Sequence, residues 1–181
     1  MTIQTYLDYV DAQNKHGIAK FLYQRLYSRY LKPFSFKNEK YKIEYKNGFA
    51  IMANSCLLIE TLQSFKNRWG DSDRKSGQAF KQFFLIDENF SELKTKGQSF
   101  YEHIRCGILH QGETTGGWKI TRIGTKLFDE KNLVINAKTF ANRLEKSLKD
   151  YAEELKSEKW DSELWDNFRT RMRKIISHSC K

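Results

Sequence analysis

The sequence predicts a mainly α-helical protein, an antiparallel helical bundle with a small β-hairpin inserted around residues 118–135. Apolar residues recur every three or four positions along most of the chain, as amphipathic helices require. One proline and ten glycines are too few for a linker-rich or disordered chain. A chain of 181 residues can bury a core without staples, so we predict a single domain over residues 1–181.

Two apolar patterns predict the first helices. The first recurs every four residues, at Ile18, Leu22, Leu26 and Tyr30. Pro33 should end this helix, because proline clashes with the preceding turn. The second pattern, residues 51–65, ends at the polar run NRWGDSDRKSG. Glu60 is expected to face away from the apolar side of that second helix, toward solvent.

The remaining elements follow in order along the chain. A short helix is predicted at AFKQFFLI and another from Gln98 to Gln111. Alternation in WKITRI and the apolar run LVI then predict the β-hairpin. Asn136 is suited to cap a long helix that follows it, and a final helix extends from Trp160 to Ile176.

Charge and cysteine content narrow the class of protein. The formal charge of +10 attracts polyanions, and one dense basic run, RTRMRK, lies near the end of the sequence. Three widely spaced cysteines form neither a disulfide framework nor a paired metal motif, which indicates a reducing compartment. The segment MTIQTYLDYV lacks the pattern of a secretory signal, and the longest apolar stretch is too short and interrupted for a bilayer. We therefore expect a cytoplasmic protein without membrane contact.

The segment FYEHIRCGILHQGETTGGW, residues 100–118, combines a helical pattern with a glycine-rich end. At about 100° per residue, its predicted core face consists of Phe100, Tyr101, Ile104, Gly107 and Ile108. Arg105 and His110 point away from the core, about 140° apart and about 7.5 Å apart along the axis. Gly112 is suited to end the helix in the left-handed conformation. His110 then lies in the last turn, where the helix dipole favours its protonated form.

This pair of side chains suggests acid–base chemistry on a phosphodiester. An imidazole exchanges protons near neutral pH, so His110 is suited to handle the proton of a 2′-hydroxyl or of the leaving oxygen. The planar guanidinium of Arg105 matches phosphate oxygens and can stabilise charge that develops at phosphorus. The two groups suffice in principle to cut RNA without a metal or another cofactor. The spacing alone is not specific, because it recurs at Arg173 and His178.

Five neighbouring residues are supporting or RNA-binding candidates: Glu102, His103, Cys106, Glu113 and Thr114. Each also has an ordinary interpretation. Glu102 is placed to hold Arg105 through an i,i+3 pair or to form a plain surface ion pair. His103 either contacts RNA or is polar surface, and Cys106 packs at an interface. Glu113 and Thr114 either orient the imidazole or form a polar turn. We find no credible ligand spacing for a metal.

The segment FYEHIRCGILHQGET resembles the signature helix of the HEPN superfamily, an arginine followed by four to six arbitrary residues and a histidine. The preceding IETLQSF, the following tryptophan and hairpin, and INAKTFANRLEKSLKDY extend the resemblance over about residues 49–155. The resemblance implies a helical bundle that dimerises so that two such helices build one composite cleft. It also implies a metal-independent endoribonuclease with Arg105 and His110 as the catalytic pair.

Three interpretations stay open at this point. The first is an RNA-cleaving homodimer of the kind that acts in phage defence or toxin–antitoxin systems, restrained by an antitoxin or another regulatory protein. The second is a catalytically inactive HEPN module that binds nucleic acid or a protein partner. Cys106 favours this second interpretation, because active members of the superfamily often have a small polar residue after the arginine. The third is a basic helical protein unrelated to the superfamily.

Overall fold

A computed structural model describes residues 2–35, 44, 46–70 and 73–179 of the chain. This part is mainly helical, at 71% helix, and it includes a small mixed β-sheet. The predicted fold class is therefore confirmed. No helix within the described ranges is both long and apolar enough to cross a membrane.

The α-helices agree with the predicted pattern, with one more at the N-terminal end. They are α1 Ile3–Asp11, α2 Lys15–Leu26, α3 Gly48–Lys66, α4 Ser76–Ile86, α5 Gly97–Phe100, α6 Ala137–Ser157 and α7 Glu163–Ser179. A π-helical turn, Tyr27–Leu31, and a 3-10 turn, Lys32–Phe34, follow α2, and Pro33 lies in that last turn as predicted. Another 3-10 segment, Glu88–Leu93, follows α4.

Side-chain caps define where three of the helices begin. The Thr2 hydroxyl accepts from the Thr5 amide at the start of α1, and the Asn14 side chain accepts from Gly17 at the start of α2. At α6 the Asn136 side chain accepts from the Thr139 amide at 3.0 Å, as its position predicted. Each cap satisfies an amide that has no partner within its helix.

The β-structure is more complex than the predicted hairpin. Its strands are β1 Lys119–Thr121, β2 Phe128–Asp129 and β3 Val134–Asn136, in the order β1–β3–β2. β2 and β3 are antiparallel, as in a hairpin, whereas β1 pairs with β3 in parallel. The Asn136 amide donates to the carbonyls of Ile123 and Gly124 at 3.0 Å and so holds the connection that reverses the direction of β1. Alternation predicts a strand but carries no information about the direction of its partner.

Helix α3 is central to the bundle and positions the candidate site. It packs against α4, α6 and α7, and it also contacts the helical segment that follows α5. Aromatic rings fill the adjoining core, and several of them contact one another: Phe80, Phe84, Phe90, Phe100 and Phe140. This rigid core supports the helix that carries the arginine and the histidine.

Candidate functional site

The helix that carries Arg105 and His110 is π-helical rather than α-helical. It begins as α5 and continues through two π segments, Tyr101–Arg105 and Gly107–Gln111, which we call the π segment together with Cys106. Its hydrogen bonds join residues five apart, as from the Cys106 amide to the Tyr101 carbonyl. Gly112 ends it at φ 72°, in the left-handed conformation that the sequence predicted.

The π-helical backbone changes the predicted relation between the two site residues. The α-helical wheel separated Arg105 and His110 by a wide angle, and that part of the prediction was wrong. Because π-helical hydrogen bonds join residues five apart, these two side chains lie on one face. Arg105 Nη1 is 3.2 Å from His110 Nε2. An arginine only donates, so this contact requires a lone pair on Nε2 and leaves the ring proton on Nδ1.

Glu60 of α3 holds the arginine from the other side. The Arg105 Nε–H donates to Glu60 Oε1 at 2.8 Å, and the two side chains are only 16% and 8% exposed. The expectation that Glu60 faces solvent was therefore wrong. A buried carboxylate requires a charged or hydrogen-bonding partner, and Arg105 supplies it. The ion pair fixes the guanidinium with its Nη1 edge toward His110.

The charge of Arg105 is secured by its surroundings. Burial lowers the pKa of the guanidinium, but the hydrogen bond and the negative charge of Glu60, together with the Cys106 side chain, raise it further. The net result is a pKa above the ordinary value of arginine. The Tyr101 ring lies under the guanidinium, with 5.8 Å between the ring centroid and Cζ. Arg105 is therefore a permanent, well-positioned cation.

Cys106 lies against the base of this arrangement. Hydrogen bonding to the Cys106 side chain, followed by burial, raises the pKa of the Tyr101 hydroxyl. Cys56 of α3 is fully buried, and that burial raises the pKa of its thiol. Both cysteines are free thiols, and Cys180 lies outside the described residues. Cys106 thus contacts Tyr101 and the arginine environment, in a partly buried position.

Two supporting candidates make contacts away from the arginine and the histidine. The carboxylate of Glu102 accepts from the amide of Gln98, so Glu102 is not the group that holds Arg105. His103 Nδ1 lies 2.9 Å from the Thr115 hydroxyl, and its carbonyl accepts from the Thr115 amide. His103 therefore anchors the loop that follows the π segment.

The other two candidates lie in that same loop. The Thr114 hydroxyl donates to the Trp118 carbonyl at 2.6 Å, which stabilises the turn before β1. Glu113 is exposed, and its amide donates to the Gly107 carbonyl at 3.4 Å. Thr114 is thus a turn residue, whereas Glu113 remains an acceptor for a bound ligand next to His110 in sequence.

Gly107 allows this loop to return across the π segment. A Cβ at this position would lie 2.5 Å from the Glu113 carbonyl oxygen and 3.3 Å from the Thr114 Cα. Both neighbours are backbone, so the loop would have to move.

We expect Gly107→Ala to lower the free energy of unfolding by about 1–3 kcal/mol, because overpacking displaces backbone there. Urea denaturation measures the change. Gly70→Ala is the matched control, because its Cβ would meet only ordinary contacts at 3.6 Å or more. Equal stabilities of the two variants would contradict this explanation.

The duplicate spacing near the end of the chain does not form a comparable pair. Arg173 Nη2 donates to the Thr170 hydroxyl at 3.1 Å on its own helix, and His178 is exposed two residues before the end of α7 at Ser179. The helix there is an α-helix, in which positions five apart do not align. The structure therefore distinguishes the internal pair from its duplicate.

The face that carries His110 is open. His110 is exposed, and Leu109 beside it is 39% exposed. Leu57, one turn before Glu60 on α3, is 40% exposed. Cavities of 580 Å³ beside α6 and of 60 Å³ between α1, α2 and α7 lie elsewhere and contain none of these residues. A single copy of the chain thus presents the two groups on a surface with apolar neighbours and without the walls of a pocket.

Within the described residues, no three His, Cys, Asp or Glu side chains are grouped as metal ligands would be. Comparisons of the chain with models of protein families, with curated proteins and with solved structures found no match.

Proposed function

We propose that this protein is a metal-independent endoribonuclease in which Arg105 and His110 act on the scissile phosphodiester. The observation that carries the proposal is the 3.2 Å contact between Arg105 and an exposed His110, held by the ion pair to Glu60. A buried ion pair behind an exposed imidazole positions the reactive groups before a substrate arrives. The resemblance of the π segment to the HEPN signature supports the same activity.

The proposed reaction divides the work between the two side chains. The substrate 2′-oxygen attacks phosphorus while His110 Nε2 accepts the 2′-hydroxyl proton, and the bond from phosphorus to the 5′-oxygen breaks. A proton delivered to that 5′-oxygen completes the step, leaving a 2′,3′-cyclic phosphate and a 5′-hydroxyl. Arg105 Nη2 makes no hydrogen bond within the described part of the chain, so it is available to the phosphate oxygens.

A homodimer is part of this proposal. One copy supplies one imidazole on an open face, whereas the reaction needs one group to accept a proton and another to deliver one. A second copy placed over Leu57 and Leu109 would bury both leucines and bring the same histidine of the second copy to the scissile bond. Base and acid would then come from the two copies.

In the cell we place this activity in the cytoplasm, as a phage-defence or toxin-type effector under the control of an antitoxin or another regulatory protein. Uncontrolled cleavage of RNA is harmful to its host, so such an enzyme requires restraint. The net charge of +10 favours the association with RNA that this role needs.

The second candidate function is a catalytically inactive module that binds nucleic acid or a protein partner. Cys106 favours it, because a thiol is a weak hydrogen-bond donor at the position after the arginine. Binding of RNA without cleavage would identify this function.

The test is incubation of the purified protein with mixed-sequence RNA in excess EDTA. We expect cleavage by the wild type, and sedimentation as a dimer under the same conditions. Absence of cleavage at every protein concentration, with or without RNA binding, would reject the nuclease activity.

A further inference from the structure

A second feature lies at the far end of α3, where the chain enters the loop between α3 and α4. Residues 66–75 and 169–174 together hold eight Lys or Arg and two Asp. These 16 residues therefore account for +6 of the net charge of +10. We call them the basic surface. The carboxylates within it are Asp73, 3.8 Å from Arg74, and Asp71, which lies outside the described residues.

Contacts between the two segments make the basic surface one unit. The Asn167 amide of α7 donates to the Lys66 carbonyl at 2.8 Å, and Arg171 Nη1 donates to the Gly70 carbonyl. The stem of Lys174 lies along Gly70, with 3.6 Å between its Cγ and a Cβ placed on that glycine. The loop and α7 therefore present their charges together, on a fixed support.

The cations of the basic surface are turned outward. Arg68, Arg173 and Lys174 are exposed, and the Arg74 side chain is 93% exposed. The Lys75 ammonium lies over the half-buried Trp69 ring at 5.5 Å from the centroid. Cations beside an accessible indole are typical of surfaces that track single-stranded nucleic acid, where phosphates meet the cations and bases stack on the ring.

Two of these arginines occupy backbone conformations that disfavour a side chain. Arg68 has φ 59° and Arg74 has φ 56°, in the left-handed region where glycine is the usual residue. Arginine at both positions keeps a cation where the backbone alone would favour glycine. This is evidence, independent of the charge count, that the guanidinium groups have a use.

We propose that the basic surface binds the phosphate backbone of the RNA substrate outside the cleavage site. The inference rests on the proposed function. Glu60 and Lys66 lie six residues apart on α3, about 9 Å along its axis, so the basic surface begins close to the Arg105 and His110 site. RNA cut at His110 would extend onto the loop and α7. Affinity would then come mostly from this surface, and chemistry from the π segment.

The experiment measures RNA binding on a His110→Ala background, so that the probe is not cut. The probe is a fluorescein-labelled, 20-nucleotide, mixed-sequence single-stranded RNA, and its Kd is measured by anisotropy over a range of KCl concentrations. The surface variant carries four changes: Arg68→Gly, Arg74→Gly, Arg173→Gln and Lys174→Gln. The matched control removes four exposed lysines elsewhere: Lys94→Gln, Lys131→Gln, Lys138→Gln and Lys146→Gln.

We expect the surface variant to lose affinity about tenfold or more at 0.1 M KCl, and its salt slope to fall by about 3, since each phosphate contact on a single strand contributes about 0.7. The two glycine substitutions should not lower Tm, because they remove left-handed arginines. The control should change far less in both Kd and slope.

Equal losses in the surface and control variants would overturn this inference, and so would an effect seen with phosphatidylserine vesicles but not with RNA. The proposed nuclease activity fails separately, through the absence of cleavage by the wild-type protein in EDTA. The two failures are therefore distinguishable.

Discussion

Substitution of His110 by alanine should lower the rate of RNA cleavage by between about 10² and 10⁴-fold, the range for loss of a general acid or base. The imidazole is exposed and bonded only to Arg105 within the described residues, so its removal leaves the core intact. We therefore expect Tm to be unchanged within about 2 °C, since surface substitutions cost little free energy. Single-turnover cleavage in EDTA and a thermal melt on the same samples measure the two effects.

His178→Ala is the matched control for this prediction. His178 also follows an arginine by five positions, but Arg173 donates to Thr170 instead. Cleavage by this variant should equal that of the wild type. An equal loss of cleavage in His110→Ala and His178→Ala, or full cleavage by both, would contradict the assignment of His110.

Substitution of Glu60 by alanine should have the largest effect on stability, because it leaves the Arg105 charge buried without a partner. Breaking a buried ion pair in this way costs about 3–5 kcal/mol. Arg105 would also lose the carboxylate that aims its Nη1 edge at His110, so cleavage should fall even at temperatures where the variant remains folded. Urea denaturation and a cleavage assay at 15 °C measure the two losses.

A double variant separates the structural role of Glu60 from its positioning role. Glu60→Met with Arg105→Met removes both charges and should recover most of the lost stability, because apolar pairs replace buried ion pairs well. It should not recover cleavage. Glu153→Ala, which breaks the surface pair with Lys156, should cost about 0.2–1 kcal/mol. A Glu60→Ala variant as stable as Glu153→Ala would refute the account of the buried pair.

Much of the scaffold could be predicted from local pattern. The four-residue recurrence of apolar side chains identified α2 and α3, and the position of Asn136 before a helical pattern identified its cap. Gly112 ended its helix as expected, because few residues other than glycine adopt φ 72° without strain. These features depend on residues close in sequence, and such information survives without tertiary context.

The geometry of the candidate site could not be predicted in this way. The α-helical period was applied to a π-helical segment, and only that change of period brings Arg105 and His110 together. Glu60 was assigned to solvent because its partner lies 45 positions away. One available signal was the presence of a single carboxylate in the long apolar run of α3, since a buried charge requires a partner. The parallel pairing of β1 and β3 depends likewise on a long-range contact.

The most direct test of the central claim is the chemistry of the RNA ends after cleavage in EDTA. The proposed reaction uses the substrate 2′-hydroxyl as nucleophile, so it predicts 2′,3′-cyclic phosphate and 5′-hydroxyl ends. The 5′ ends should be labelled by polynucleotide kinase without prior phosphatase treatment, and RNA with 2′-deoxy substitution at the cut positions should resist cleavage. Products with 5′-phosphate and 3′-hydroxyl ends, or equal cleavage of the 2′-deoxy substrate, would contradict the account.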